Sequence, residues 1–368
     1  MKRRVFLGAP ALAAAAMGED GPAPMVFAYG DGIPYTPAEY ARLLESLSGK
    51  VESDDYSNGG VVERLEQRVA ELLGKESACW MPTGTLANHV AARLLAGGRR
   101  RVLVQAESHL YNDCGDCAQT LSGLNLVPLA PGRATFTLAE AEQAANAAEM
   151  GRVMAPVGAL QIESPVRRRM GERFDFAEMR RISEWARARK IGLHLDGARL
   201  FLESAYSGRA VREYAALFDT VYISMYKYFN AASGAVLAGP KALLDGLFHT
   251  RRMFGGGLHQ AWPYAAVAFH TMEGFEARLR KAVETSEAVI PALTRHGSFE
   301  VERVKNGTNI FRLRVLGVNA PIYQLRLEQA GVTARLPAGG EWFNIQVNET
   351  WARVPAEQIV ARFVTGLG

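Results

Sequence analysis

At 368 residues, 48% hydrophobic and 22% charged, the chain is long enough to enclose one large core and a smaller second one, which excludes a disordered or fibrous protein. The formal net charge is only +4, and the arginine runs at 99–101 and 167–169 carry no interleaved aromatics, so solvated faces account for them and no nucleic-acid partner is expected. No run reaches the ~18–20 uninterrupted apolar residues of a spanning helix, so no membrane segment is expected.

The chain opens with Lys2, Arg3 and Arg4 ahead of an alanine-rich apolar run that ends at Gly18. Residues 1–18 read as a twin-arginine export signal, which predicts a periplasmic or exported protein. The alternative, a basic end on a cytoplasmic enzyme, rests on the shortness of the run and on Pro10. Residues 19–60, rich in Gly, Pro, Asp and Tyr, read as an irregular arm with one short helix at 37–47. From Val61 an apolar stripe (Val62, Leu65, Val69, Leu72, Leu73) opens a helix, and helices then alternate with short strands to about residue 240. That alternation predicts a parallel sheet in a large α/β domain over 61–265.

Three expected strands bear on function: 101–106 before Glu107, 191–195 before Asp196, and 220–226 before Lys227. Each ends at a polar residue, and ligands of α/β sheets bind outside the carboxyl ends of strands. The helix expected over 175–190, with Phe176, Met179, Ile182 and Trp185 inward, supplies a crossover between two of them. Beyond Gly255, Gly256 and Gly257 a long helix is expected over 260–293, and 266–368 reads as a connecting helix with a small α+β domain. Cys79, Cys114 and Cys117 are too few for a disulfide framework. The spacing of Cys114 and Cys117 suits a redox pair or half a metal site, but the second half is missing, so ordinary thiols and no metal are expected.

Four segments carry chemistry. In 192–199 (GLHLDGAR) Asp196 and Arg199 stand at the end of a buried strand, where a carboxylate needs a cation: either Arg199 itself or a protonated pyridine nitrogen. In 222–229 (YISMYKYF) Lys227 follows an apolar strand and is flanked by aromatics; burial there lowers an amine's pKa and leaves it neutral enough to attack an aldehyde, as a surface lysine is not. In 82–88 (PTGTLAN) Thr83, Gly84 and Thr85 precede an Ala/Leu-rich helix whose first N–H groups suit a phosphate, although a plain helix cap reads the same way. His109, in 107–111 (ESHLY), suits either a flat ring or a proton transfer, or a purely structural place.

Taken together and in this order, these segments resemble the threonine aldolase and β-eliminating lyase family of fold-type-I pyridoxal-phosphate enzymes, across roughly residues 25–300. The resemblance implies an aspartate-aminotransferase-like large domain with a mostly parallel sheet, a small α+β C-terminal domain, and pyridoxal 5'-phosphate as cofactor. It implies that Thr83, Gly84 and Thr85 hold the phosphate, that His109 stacks on the ring, and that Asp196 binds the pyridine nitrogen. Arg199 would face the substrate carboxylate and Lys227 would carry the cofactor as a Schiff base. The segment 251–260 (RRMFGGGLHQ) is similar to the family's Gly-rich segment.

The chain also departs from the family pattern. Lys227 lies between Tyr226 and Tyr228 where the family has serine before and glycine after, so Ser224 is the hydroxyl expected to reach the phosphate. Gly30 precedes Asp31 where a serine is usual. The segment 341–344 (EWFN) stands where an arginine is usual, which leaves Arg335 as the substitute. The family's chemistry predicts aldol cleavage of a β-hydroxy-α-amino acid to glycine and an aldehyde, with His109 as the base or the acidic arm 54–57 (DDYS) in its place. β-Elimination or racemisation by the same residues, and cofactor binding without catalysis, are the alternatives. A homodimer or homotetramer is expected.

Overall fold

The computed structural model describes residues 24–368; the export signal expected at 1–18 lies outside the described residues. Strand β1 (Val26–Phe27) comes first. It is followed by β2 (Ser77–Met81), β3 (Arg101–Gln105), β4 (Asn125–Leu129), β5 (Val157–Glu163), β6 (Gly192–Asp196), β7 (Thr220–Ser224) and β8 (Ala235–Gly239). The chain closes with β9 (Phe299–Arg303), β10 (Ile310–Val315), β11 (Val332–Thr333) and β12 (Trp342–Gln346).

Strands β2 to β8 form one sheet in the order β2-β8-β7-β6-β5-β3-β4, parallel except that β8 runs against both of its neighbours. Strands β5 and β7 are buried along their whole length, as expected for strands covered by helices on both faces, where no alternation of apolar and polar residues survives. The helix Phe176–Ala188 joins β5 to β6; Asp175 caps it by accepting the Glu178 N–H, and Met179 and Ile182 are its buried face. This is the α/β fold with a mostly parallel sheet that the alternation of elements predicts.

The C-terminal body is built on an antiparallel sheet, β12-β10-β9. In β10, Phe311, Leu313 and Val315 face a core while Arg312 and Arg314 turn outward to pair with Glu302 and Glu300, the period of two that one buried face imposes. The single long helix expected over 260–293 is two helices, Trp262–Met272 and Phe275–Arg295. Gly274, at φ 63°, breaks it, because left-handed backbone costs glycine nothing and stops a right-handed helix.

The segment read as an arm is tied into both bodies over its described part. β1 pairs in parallel with β11, and Val26 and Ala28 lie in the C-terminal core. The short helix Pro37–Ser48 starts at a capping box of Thr36 and Glu39 and lays Leu43, Leu44 and Leu47 against the large core. Between these, residues 29–34 cross the carboxyl ends of the large sheet.

Candidate active site

A cavity of about 530 Å³ opens at those carboxyl ends. Its floor is made by residues that end strands or follow them closely, and its roof is the segment 29–34. Asp196 ends β6 and is buried. Its Oδ2 accepts from the Asn88 amide at 2.6 Å and its Oδ1 from the Ala198 N–H at 3.2 Å. Behind it runs a buried chain: Asn88 Oδ1 lies 2.9 Å from His194 Nε2, and His194 Nδ1 lies 2.8 Å from the Thr220 hydroxyl. No ion pair to Asp196 is found among the described residues, so the sequence alternative of an Asp196–Arg199 pair is not what forms. Arg199 instead turns its Nε to Asp31 of the roof, at 2.8 Å, and Asn309 reaches the other Asp31 oxygen at 3.4 Å.

Lys227 lies on the turn after β7, three residues beyond the strand rather than next to it, because the strand pairing ends at Ser224. Its Nζ sits 3.2 Å from the Tyr226 hydroxyl and over that ring. Burial, then the Arg199 charge, lower its pKa from the ordinary lysine value, which is the condition an amine needs to act as a nucleophile. The roof is pressed onto this turn: a Cβ at Gly32 would overlap the Lys227 carbonyl, and the Ile33 N–H donates to Asn230 Oδ1 at 2.8 Å.

His109 begins the first turn after β3 and also lines the cavity. Its Nδ1 is 3.2 Å from Cys114 Sγ. Burial pushes its pKa below the usual imidazole value, with Lys227 and Arg167 adding to the effect and Asp196 opposing it. A neutral imidazole beside an amine and a buried carboxylate can take a proton from a bound molecule.

The other expected residues do not line the cavity directly. Thr83 caps the helix Gly84–Ala96 by accepting the Leu86 N–H. Gly84 packs under the Tyr222 hydroxyl so closely that a Cβ there would overlap it, and Tyr222 does line the cavity. Thr85 Oγ1 lies 3.8 Å from Cys114 Sγ, the same thiol that His109 Nδ1 approaches. Ser224 is fully buried in β7. Arg335 is exposed and stacks on Tyr29, 4.0 Å from the ring centre, at the rim. Cys79, Cys114 and Cys117 are free thiols.

Glu163 is a site residue that the sequence reading missed. It ends β5 and lines the cavity. The same rule that singled out Asp196, a polar residue closing an apolar strand, would have found it. Asn88 and His194 carried no such signal, since their roles depend on contacts 106 and 108 residues apart in the chain.

The arrangement fits a flat cofactor with an aldehyde at one end and a basic ring nitrogen at the other. A buried carboxylate without a cationic partner among the described residues needs one, and a protonated ring nitrogen would meet that need beside an amine able to bond the aldehyde.

The family model described as Beta-eliminating lyase matches residues 44–315. A protein named Aldolase vrtJ from Penicillium aethiopicum is 31% identical over 250 residues, 67% of this chain and 63% of its own. One named Alanine racemase TOXG from Cochliobolus carbonum is 29% identical, over 62% of this chain and 58% of its own. The chain thus spans about six tenths of these curated relatives. A solved structure from Listeria monocytogenes EGD-E, assigned as an L-allo-threonine aldolase, superposes with a TM-score of 0.76 at 26% identity, covering 93% of this chain and 95% of that one.

Proposed function

The chain belongs to the beta-eliminating lyase family, and from that premise we propose that it is a pyridoxal-phosphate-dependent aldolase, cleaving a β-hydroxy-α-amino acid to glycine and an aldehyde. One observation carries the reading: Asp196 with no cation partner among the described residues, and Lys227 and His109 with lowered pKa values, face a single cavity.

When bound, pyridoxal phosphate supplies an aldehyde that takes up the substrate's amine and a protonated ring that draws electrons from the bond broken at Cα. Asp196 would hold the protonated ring nitrogen, and the Asn88 and Ala198 donors hold that carboxylate in place. Lys227, its amine pKa lowered by burial, would hold the cofactor at its aldehyde carbon. Arg199, with its Nε committed to Asp31, offers its terminal nitrogens to the substrate carboxylate, and Arg335 on Tyr29 is a second cation at the rim. The N-terminus of the helix Gly84–Ala96 would hold the phosphate, with Thr83, Thr85 and Ser224 as hydroxyl donors. His109 accepts the β-hydroxyl proton as the Cα–Cβ bond breaks. The product aldehyde would leave, and return of that proton from His109 to Cα would complete glycine.

β-Elimination or racemisation at the same Cα is a second reading, favoured by the likeness to a protein named alanine racemase. The test is to add L-threonine, L-allo-threonine and L-phenylserine in turn to the cofactor-loaded protein and to quantify the products, with Lys227→Ala as the control. Glycine plus aldehyde, absent in the control, is the expected result. A keto acid with ammonia, or inverted substrate, would replace aldolysis by the second reading. A cofactor spectrum that no amino acid perturbs would mean binding without catalysis.

The reading includes a homodimer or homotetramer, supported by Tyr226, a large ring 46% exposed at the cavity itself, and tested by sedimentation. It also includes export of the folded protein, which rests on Arg3 and Arg4. Retention in the cytoplasm on Arg3→Lys with Arg4→Lys would support it, and an unchanged distribution would remove it.

A further inference from the structure

Glu163 has no part in the chemistry above, yet its carboxyl is among the most constrained groups of the cavity. It ends β5 in register with Asp196 on β6, so two carboxylates stand side by side on adjacent strands. It is 4% exposed. Its Oε2 accepts the backbone N–H of His109 at 2.5 Å, and its Oε1 accepts the backbone N–H of Arg167 at 2.9 Å. Its main chain is held as well: its N–H donates to Gln105 Oε1 at 2.7 Å, and its carbonyl accepts from Gln105 Nε2 at 2.8 Å. Gln105 ends β3, four residues before His109.

One residue therefore joins the turn after β3 to the turn after β5, both of which reach the cavity. A carboxylate is the side chain that can satisfy two N–H donors at once; glutamine has one acceptor oxygen, and its amide nitrogen would face a donor. A second acid beside Asp196 is costly through like-charge repulsion, a cost that a purely structural cap placed elsewhere would avoid.

We propose that Glu163 is a positioning residue that clamps the backbones of His109 and Arg167 together and thereby sets the imidazole's place in the cavity. This rests on the reading of His109 as the base. The ionised carboxylate is the stronger acceptor, so the clamp tightens when Glu163 loses its proton. Burial, then the Asp196 charge, push that loss up to about pH 7, with Arg199 and the two N–H donors opposing. The charged and titratable groups that share the cavity with it are Asp196 and Arg199 at the end of β6 and just beyond, His109 from the turn after β3, Arg167 on its own turn, Tyr222 of β7, Tyr226 and Lys227 from the turn after β7, and Tyr29 and Asp31 of the roof.

The experiment compares wild type with Glu163→Gln as cofactor-loaded proteins, using amide hydrogen exchange of the segments 107–112 and 164–169 between pH 6 and 8 together with kcat and KM over the same range. In wild type, protection of the His109 and Arg167 amides should rise through about pH 7 beyond the intrinsic change in exchange rate, with kcat rising alongside. In Glu163→Gln, protection should fall on the order of tenfold and lose that dependence. Its kcat should also fall on the order of tenfold, with KM within about twofold, the pattern of a group that matters in the transition state. Wild-type protection in the variant, or a variant that keeps the wild-type pH dependence, would overturn the proposal. If the variant does not fold, wild type decides alone: no rise in protection at the two amides between pH 6 and 8 refutes the clamp. Should wild type cleave no β-hydroxy-α-amino acid, the aldolase reading fails while the exchange data still judge Glu163.

Discussion

Asp196 and Lys227 stand out in the sequence because each follows an apolar run, but what makes Asp196 usable is a chain of residues behind it. Asn88 gives its amide hydrogen to Asp196, so its oxygen must accept, and His194 must carry its proton on Nε2 and accept from Thr220 through Nδ1. Burial pushes His194 down to about 4, which keeps that ring neutral and the arrangement single-valued at neutral pH. Asn88→Ala leaves one Asp196 oxygen and the His194 N–H without partners, at about 1–3 kcal/mol. The expected outcome is cofactor affinity weaker by roughly tenfold to a hundredfold, measured by titrating the cofactor into protein stripped of it. Wild-type affinity in this variant would show that Asp196 needs no support from the chain.

Among the elements, the helix Gly84–Ala96 shows what a motif can and cannot convey. Its capping threonine and small first turn are plain in the sequence, and Thr83 does cap it. The reason for glycine at 84 is visible only once β7 lies beneath, because Tyr222 fills the space a side chain would take. Gly84→Ala should therefore overpack the helix against the sheet and lower stability by about 1–3 kcal/mol, seen as a lower urea midpoint. Adding Tyr222→Phe should not restore it, since the ring carbon bearing the hydroxyl is also in the way; full recovery in the double variant would put the clash on the hydroxyl alone. The helix expected over 260–293 teaches the converse. Its apolar period runs across Gly274 on both sides, and periodicity alone does not register a single residue turning left-handed.

In the whole molecule, the N-terminal segment binds the two bodies together around the cavity. Asn348 donates to the carbonyls of Phe27 and Gly30, while Glu349 takes Asn230 on one oxygen and Arg278 on the other. Deep in the large body, burial raises Glu66, Glu163 and Glu203 to about 7. Between the unfolded value of 4.5 and about 7 the native state then holds protons that the unfolded chain has released, so these groups stabilise at low pH and lose that contribution as pH rises. Glu203→Gln removes one such group. Its Tm relative to wild type should climb between pH 4.5 and 8, and a flat difference across that range would mean that Glu203 does not titrate in the folded protein.

The sequence by itself determined the α/β class, the mostly parallel sheet, and the positions of Asp196, Lys227 and His109, because strand and helix periods and polar strand ends are local properties. Tertiary structure alone decided that Asp31 takes Arg199, that Glu163 joins two turns, that Asn88 supports Asp196, and that residues 29–34 roof the cavity. Those outcomes depend on strand order and on contacts between residues tens to hundreds of positions apart, which no local pattern encodes.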